Sequence, residues 1–289
     1  MTEIQSHTVG EIRRKTVGYL GGKRLESPEI ACDLLLARLL GCRHLEVALH
    51  NADVLSPPRV EAMRRAVKRL ADGEPVQYIL GETEFMGHRI KVDRRVLIPR
   101  PETEVLVSTV LACAELWKQP EVRVTDVGTG SGCIAVSIAR ERPQARLLAL
   151  DISEEALELA RENAAKLGVD GQIVFACAEM ADVLEPETVD IVVSNPPYVR
   201  SFDWERLAPQ VRDYEPRVAL DGGKSGLDII AAVAEDAMIA LREGGGLFLE
   251  VGAGQAQEVA SMLESCDYRD VAVIRDLAGC ERIVSARRG

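Results

Sequence analysis

Histidine and cysteine are few in this chain of 289 residues, and their positions do not suit metal chemistry. The four histidines all precede the glycine-rich loop Gly128–Gly132, and the seven cysteines are scattered without a C-x-x-C pair. These features argue against a histidine-based metal centre and a zinc site. They favour free thiols in a reducing compartment over a disulfide framework. We therefore expect no metal and a cytoplasmic location.

Long apolar runs and a strong positive charge are also missing. No run approaches the ~20 apolar residues of a membrane span, and the N-terminus has no apolar signal segment. The net charge is −11: residues 1–83 carry 12 basic and 11 acidic side chains, and the remainder carries 23 and 35. Such an acidic chain weighs against direct nucleic-acid binding and shows no sign of membrane insertion.

Residues 1–82 have the pattern of a small helical bundle. Thr8 and Glu11 have the spacing of a capping box, and a helix is predicted from there to Leu20. Ser-Pro pairs at 27–28 and 56–57 predict the starts of two further helices. No catalytic group is visible here, and we expect a substrate-docking domain.

One face of the third predicted helix is basic. Val60, Met63 and Val67 share the apolar face. The basic side chains that fall largely opposite are Arg64, Arg65, Lys68 and Arg69. A solvated helix face is the more common explanation of such a pattern, and a docking surface for an acidic partner is the alternative.

A β-hairpin is predicted around Met86-Gly87, and we expect residues 83–97 to link two domains. Residues 98–289 then alternate between strand-like and helix-like segments, which is typical of an α/β fold. Pro101 occupies the first turn of the first of these helices.

A glycine loop follows the first strand of this second domain. Val122–Val127 is rich in β-branched residues and leads into Gly128–Gly132, and the next predicted strand ends in Asp151, about 20 residues on. Such a loop brings backbone N–H groups close to a ligand, and an acid at that distance suits a ribose diol. The pattern leaves two nucleoside cofactors open, because Gly130–Ala135 also fits the G-x-G-x-x-A motif of nicotinamide dehydrogenases.

The segment Val192–Tyr198 reads as a buried strand that stops in a rigid turn. Pro196 and Pro197 have no N–H, so strand pairing cannot continue past Ser194. The Asn195 side-chain oxygen and the Pro196 carbonyl can each accept one N–H of a planar NH2 group. Tyr198 can pack on its flat face. A strand-ending turn without function remains the alternative. Ligands in such sheets bind at the carboxyl ends of the strands. Those ends carry, in this prediction, the loop Gly128–Gly132, Asp151, Glu179 and Asn195.

Several motifs together resemble a known family. They are P-x-Q-Y-I at 75–79, R-P-E-T-E at 100–104, N-P-P-Y at 195–198, Y-E-P at 214–216 and L-D-G-G-x-x-G-L at 220–227. On them the chain resembles class I S-adenosylmethionine-dependent methyltransferases, and more narrowly the protein-(glutamine-N5) methyltransferases of peptide chain release factors. The resemblance implies an α/β Rossmann-like domain with a mostly parallel seven-stranded sheet.

The resemblance also implies a site, a cofactor and a partner. Catalytic roles fall on Asn195, Pro196 and Tyr198. Substrate binding falls on the same three residues and on Pro197. The residues expected to hold S-adenosylmethionine, which becomes S-adenosylhomocysteine, are Arg100, Glu102, Gly128, Thr129, Gly130, Ser131, Gly132, Asp151, Glu179, Met180 and Asn195. Class I release factors are the implied protein substrate, and we expect a monomer.

One position departs from the family pattern: Glu179-Met180 replaces the usual Asp-Trp, and we expect the Met180 thioether to pack on adenine. Three alternatives stay open. They are an N-P-P-Y enzyme acting on a nucleic-acid base, a dehydrogenase, and a non-catalytic cofactor-binding docking protein. The acidic second domain disfavours the first, the unused motifs disfavour the second, and the intact loop and Asn195 disfavour the third.

Overall fold

The order of elements in the computed structural model separates a helical first part from an α/β second part. Residues 7–23, 25 and 27–289 are described, and the predicted domain 1–82 therefore includes a few positions outside them. Two units divide the chain. The first comprises Met1–Gly81 together with Pro209–Tyr214, and the second comprises Glu82–Ala208 and Glu215–Gly289. The predicted hairpin linker thus lies within the second unit.

The first unit is built from short amphipathic helices. They are α1 (Val9–Gly21), α2 (Pro28–Leu40), α3 (Pro57–Ala71) and α4 (Val76–Leu80), with a 3-10 helix at His44–His50. Leu20, Leu36 and Leu70 are fully buried in its core. The returning segment Pro209–Tyr214 joins this unit through the Tyr214 hydroxyl, which donates to the Asp72 carbonyl at 3.0 Å.

The capping box predicted at the start of α1 is confirmed, whereas the predicted capping by serine at the starts of α2 and α3 needs qualification. Thr8 and Glu11 form both hydrogen bonds of the predicted capping box. Ser27 and Ser56 do precede α2 and α3. However, within the described part of the chain neither side chain makes a capping hydrogen bond, so proline at the first helical position marks these starts.

The basic face of α3 is partly neutralised within its own unit. Arg69 forms a two-pronged ion pair with Glu74, with both N–O distances 2.7 Å. Arg64 and Arg65 lie 3.6 Å and 3.9 Å from Glu61 oxygens, at exposed positions. Arg69 therefore has a structural partner, whereas the ion pairs of Arg64 and Arg65 with Glu61 are long and solvent-exposed.

The second unit opens with a hairpin and continues as alternating helices and strands. Its strands are β1 (Glu82–Phe85), β2 (His88–Lys91), β3 (Val122–Val127), β4 (Ala145–Asp151), β5 (Ile173–Cys177), β6 (Val189–Ser194), β7 (Leu241–Glu250), β8 (Tyr268–Arg275) and β9 (Glu281–Arg288). Its helices are α5 (Pro101–Ala112), α6 (Cys133–Glu141), α7 (Glu154–Leu167), α9 (Asp228–Ala240) and α10 (Ala256–Ser265); α8 (Pro209–Arg212) belongs to the first unit. Short 3-10 helices lie at Ala114–Trp117, Asp170–Gln172, Met180–Asp182, Ser201–Arg206 and Arg217–Ala219.

Seven strands form one sheet in the order β5-β4-β3-β6-β7-β9-β8. The pairs from β5 to β7 are parallel, and β9 pairs antiparallel with both β7 and β8. This confirms the predicted α/β class with a mostly parallel seven-stranded sheet. The strand order reverses between β3 and β6, which is where ligands bind in open sheets.

The central strands β3, β4 and β6 are largely buried on both faces, in keeping with their content of Val, Leu, Ile and Ala. Val192, Leu247 and Leu249 belong to the large core cluster of this unit. Among the residues that the structure describes, no helix has both the length and the apolar character needed to cross a membrane.

Candidate functional site

The N-P-P-Y turn begins where the central strand β6 ends. Ser194 is the last strand residue, and its hydroxyl donates to the carbonyl of Val127, the last residue of β3, at 2.7 Å. Asn195 follows immediately and is partly exposed, whereas Pro196 is buried. Because Val127 leads directly into the glycine loop, this hydrogen bond ties the turn to the start of that loop.

A chain of hydrogen bonds holds the Asn195 side chain. Its Nδ2 donates to Thr103 Oγ1 at 3.0 Å, and the Thr103 hydroxyl donates to Glu250 Oε2 at 2.6 Å. Thr103 lies in the first turn of α5 and Glu250 ends β7, and both are buried. With Nδ2 occupied in this way, Oδ1 remains as the acceptor that Asn195 can offer to a ligand.

Glycines pack against the backbone of the turn. A Cβ on Gly222 would lie 2.6 Å from the Pro197 carbonyl oxygen, and one on Gly226 would lie 2.7 Å from that of Tyr198. Gln255 Nε2 also donates to the Tyr198 carbonyl, at 3.1 Å. The L-D-G-G-x-x-G-L segment is therefore glycine-rich because the chain must pass this close to the turn.

Tyr198 packs its ring against the core of the unit. Burial raises the pKa of its hydroxyl to about 12, with the Glu250 carboxylate adding to the rise. The side chain is therefore neutral at ordinary pH. It offers an aromatic face rather than a base, in keeping with the role that its sequence position predicts.

The glycine loop has a backbone that only glycine adopts without strain. Gly128, Gly130 and Gly132 all have positive φ values, of 72°, 53° and 77°. A Cβ on Gly132 would lie 3.0 Å from Ala160 Cβ, so this glycine lets the loop pack on α7. Apart from its two chain neighbours, no described residue has a heavy atom within 4 Å of a Cβ built on Gly128. The backbone at Gly128 therefore borders open space without an intervening side chain, as the binding of a nucleoside cofactor requires.

Asp151 meets the loop at the end of the neighbouring strand β4. Its Oδ2 accepts the N–H of Gly130 at 2.8 Å and its Oδ1 accepts that of Ser153 at 2.9 Å. Burial raises the pKa of its carboxyl group, although the backbone N–H groups oppose the rise. Each oxygen retains a lone pair, so the carboxylate can also accept hydrogen bonds from a diol.

Asp126 lies buried beneath the loop, and sequence analysis missed it. Its Oδ2 accepts from the Thr129 hydroxyl at 2.7 Å and from the N–H of Ala135 at 3.1 Å. Its Oδ1 is buried without a hydrogen-bond partner among the described residues. Burial, reinforced by the charge of Asp151, raises the pKa of Asp126 to about 7. An acid near the end of a strand rich in β-branched residues, just before the loop, is the sequence signal that could have revealed it.

Asn163 of α7 joins the loop to the hairpin and was also missed. Its Nδ2 donates to the carbonyls of Ser131 at 2.9 Å and Lys91 at 3.0 Å, and its Oδ1 accepts the N–H of Lys91 at 2.7 Å. The side chain is fully buried. A polar residue on the apolar face of a helix is its only sequence signal.

The remaining predicted cofactor residues lie in different surroundings. The Arg100 guanidinium donates to buried Glu215 at 2.6 Å, and Glu102 lies half-buried in the first turn of α5. Glu179 is exposed just beyond the end of β5. Met180 is 3% exposed and packs in the core cluster. The predicted packing of the Met180 thioether on adenine stays a prediction.

The Y-E-P motif has a structural explanation that only the fold makes visible. Glu215 accepts from Arg100 and, at 3.3 Å, from the N–H of Ile98. Burial raises the pKa of Glu215, and the Arg100 charge opposes the rise. Arg100 thereby holds the segment leading into α5, on which Thr103 lies. Across the described positions, no group of three or more His, Cys, Asp or Glu side chains could hold a metal ion.

Two family models match the chain. Residues 11–81 match the PrmC N-terminal domain, and residues 102–208 match the methyltransferase small domain. A release factor glutamine methyltransferase of Chlorobaculum tepidum is 38% identical over 99% of both chains. One of Cereibacter sphaeroides is 42% identical over 88% of both chains.

A solved structure supports the fold. The crystal structure of a methyltransferase from Pyrococcus furiosus aligns with a TM-score of 0.53 at 18% identity, covering 78% of this chain and 98% of that one. At this identity the alignment indicates a shared class I methyltransferase fold. It says nothing further about substrate.

Proposed function

This chain belongs to the release factor glutamine methyltransferase family, and from that premise we propose its reaction. A methyl group is transferred from S-adenosylmethionine to the side-chain nitrogen N5 of a glutamine. The glutamine lies in the Gly-Gly-Gln motif of a class I peptide chain release factor, and the transfer modulates translation termination. The observation that carries this proposal is the fixed Asn195 side chain, whose oxygen is left to accept an N–H beside the glycine loop.

Recognition of the glutamine depends on its NH2 group. Asn195 Oδ1 accepts one N–H and the Pro196 carbonyl accepts the other, while the Tyr198 ring packs on the plane of the amide. An amide nitrogen is a poor nucleophile because its lone pair is delocalised into the carbonyl. Two acceptors that hold both N–H groups favour a pyramidal nitrogen with its lone pair directed out of the amide plane.

The cofactor is expected at the glycine loop. When bound, S-adenosylmethionine supplies an electrophilic methyl group on a sulfonium sulfur. Gly128–Gly132 would border it with backbone alone, and Asp151 would accept its ribose hydroxyls. Glu102, Glu179 and the free donors of Arg100 are proposed as further contacts.

The transfer needs no strong base. The new bond joins the glutamine nitrogen to the methyl carbon, and the bond between that carbon and sulfur breaks. N-methylation makes the amide nitrogen strongly acidic, so its extra proton can leave to the Asn195 oxygen or to water. Tyr198, with its raised pKa, stays protonated throughout.

A direct assay tests the proposal. Purified protein is incubated with methyl-labelled S-adenosylmethionine and one of three acceptors: a class I release factor, the same factor with glutamate replacing its Gly-Gly-Gln glutamine, or duplex DNA. We expect label only in the unaltered factor, because a carboxylate has no N–H and its charge would face two acceptor oxygens. Labelling of the glutamate variant would contradict amide recognition. Labelling of DNA alone would identify a base-modifying enzyme.

A further inference from the structure

Asn195 can serve as an acceptor only if its amide is turned the right way. The carbonyl oxygen and the NH2 group of an asparagine have nearly the same shape, and a half-turn about the last side-chain bond exchanges them. The wrong orientation would point two N–H donors at the NH2 group of the substrate. Some neighbouring group must therefore distinguish the two ends of the Asn195 amide.

The neighbour that does so is Thr103, because its single hydroxyl proton is already committed. Glu250, when ionised, can only accept hydrogen bonds, so the Thr103 proton is directed to its Oε2 at 2.6 Å. Only the lone pairs of Thr103 Oγ1 then face Asn195, at 3.0 Å. An oxygen placed there would repel them, whereas the Asn195 NH2 group can donate to them.

The surroundings keep this arrangement free of competing water. Thr103 is 2% exposed and Glu250 is 1% exposed. They come from different elements, the first turn of α5 and the end of β7, so their contact depends on the packed unit. Water cannot readily supply alternative partners at such burial, and the direction of each hydrogen bond is therefore set by the protein.

We propose that Thr103 and Glu250 are positioning residues that fix the orientation of Asn195, holding its carbonyl oxygen toward the substrate amide. The inference rests on the proposed function. It adds two residues that do not touch the substrate but decide which atom of Asn195 does.

The proposal also implies a dependence on pH. If Glu250 gains a proton it can donate to Thr103, whose own proton is then free to turn toward the Asn195 oxygen, and the preference between the two orientations is lost. Burial raises the pKa of Glu250 to about 7; the charge of Glu102 adds to the rise, and the Thr103 hydroxyl, Arg282 and Arg100 oppose it. The orientation should therefore be best enforced on the alkaline side of neutrality.

The first experiment compares three variants with the wild type in the release-factor assay. Thr103→Val removes the hydroxyl while keeping the shape, and Thr103→Ser keeps the hydroxyl. Thr109→Val is the matched control on the same helix, since the Thr109 hydroxyl donates to the Val105 carbonyl of α5 at 2.8 Å, a hydrogen bond within the helix. We expect kcat to fall ~10-fold or more in Thr103→Val and to stay within a few-fold in the other two. The dissociation constant for S-adenosylmethionine, measured by calorimetry, should change little in all three.

A double-mutant cycle separates positioning from a general loss of packing. If Thr103 acts through Asn195, then Thr103→Val should have almost no further effect on kcat in an Asn195→Ala background. An equal fold-loss in both backgrounds would overturn the proposal, as would a Thr103→Val variant as active as wild type. Glu250→Gln provides a second measure: we expect kcat of the wild type to rise between pH 6 and pH 8 and kcat of this variant to lack that rise. An equal rise in both proteins would count against the role of Glu250.

Failure of the positioning role can be distinguished from failure of the proposed function. If wild-type protein leaves the release factor unlabelled, the proposed function is wrong and the variants are not at issue. If the wild type labels the factor and Thr103→Val does so equally well, the proposed function stands and the positioning role is rejected.

Discussion

Gly222 packs directly on the backbone of Tyr198, with a Cβ at Gly222 falling only 2.8 Å from Tyr198 Cα. Replacing Gly222 with alanine should therefore push the N-P-P-Y turn away from its position. Because small displacements of reacting groups are costly, we expect kcat to fall ~10-fold or more, with much less change in cofactor affinity. Gly171→Ala is the control, since a Cβ there meets nothing within 4 Å. Equal kcat values for the two variants would show that the turn tolerates the added methyl group.

Asn195→Ala removes the acceptor while leaving the glycine loop unchanged. We expect kcat to fall at least ~10²-fold, in line with deletion of one preorganised polar group in an active site. The affinity for S-adenosylmethionine, measured by calorimetry, should change much less. A variant with activity within a few-fold of wild type would exclude Asn195 as the group that holds the substrate amide.

Asp151→Ala should act mainly on the cofactor. Two charge-assisted hydrogen bonds to ribose hydroxyls, worth roughly 1.5–3 kcal/mol each, predict at least a tenfold rise in the dissociation constant of S-adenosylmethionine. The loop should also loosen, because Asp151 holds the N–H of Gly130. Asp170→Ala is the control, because Asp170 is exposed beside the amino end of β5, whereas Asp151 lies at the carboxyl end of β4. Unchanged cofactor binding in Asp151→Ala would leave the residue a purely structural role.

Stability should decrease as pH rises toward neutrality because of Glu250. Its pKa is raised by burial from an ordinary 4.5 to about 7 in the folded protein. Below pH 4.5 the Glu250 carboxyl is protonated in both the folded and the unfolded protein, so its titration does not change the free energy of unfolding. Between pH 4.5 and 7 only the unfolded chain releases the proton, so the free energy of unfolding declines, by up to about 3 kcal/mol at ~1.4 kcal/mol per pKa unit.

The control for this pH effect is Glu250→Gln, which cannot titrate. Urea unfolding of both proteins at pH 5, 6, 7 and 8 should show a steeper decline for the wild type over this window. Asp126, whose pKa is raised to about 7 by burial, contributes in the same direction in both proteins and cancels in the comparison. Parallel curves would mean that Glu250 is already ionised at pH 5 in the folded protein.

The first unit is proposed to dock the release factor through the exposed cations of α3. Arg64, Arg65 and Lys68 should be reversed to glutamate, whereas Arg69 should be kept because it holds Glu74. We expect kcat/KM for intact release factor to fall in a salt-dependent way. A short peptide containing the glutamine should be methylated as before.

The matched control reverses three exposed cations near the amino ends of the strands, whereas the proposed site lies at their carboxyl ends. They are Lys118, Arg123 and Arg146, each of which lies within 4 Å of a neighbouring glutamate, as Arg64 and Arg65 do. Both variants change the net charge equally, so a general charge effect would lower kcat/KM to the same extent in both. That result would reject α3 as the docking surface.

Local sequence patterns were sufficient to predict several elements of the fold. The Thr8–Glu11 capping box, the hairpin at Met86-Gly87 and the strand–loop–helix at Gly128–Gly132 all depend on residues close in the chain. Asp151, which ends β4, and Asn195, which follows β6, could be expected at the same end of the sheet because parallel strands place their carboxyl ends together. The burial of Met180 in the core was not visible in its motif position, from which a contact with adenine was predicted.

What the sequence by itself determined is therefore the set of groups proposed to perform the chemistry, namely the glycine loop, Asp151 and the N-P-P-Y turn. Only the tertiary structure decided how those groups are oriented. Thr103 and Glu250 are separated by 147 positions, and Gly222 contacts a turn more than 20 residues earlier in the chain. Periodicity and spacing report neighbours along one helix or strand, whereas the direction of a hydrogen bond between buried side chains depends on which elements pack together. For that reason the orientation of Asn195 could be inferred from the folded chain but not from its motif.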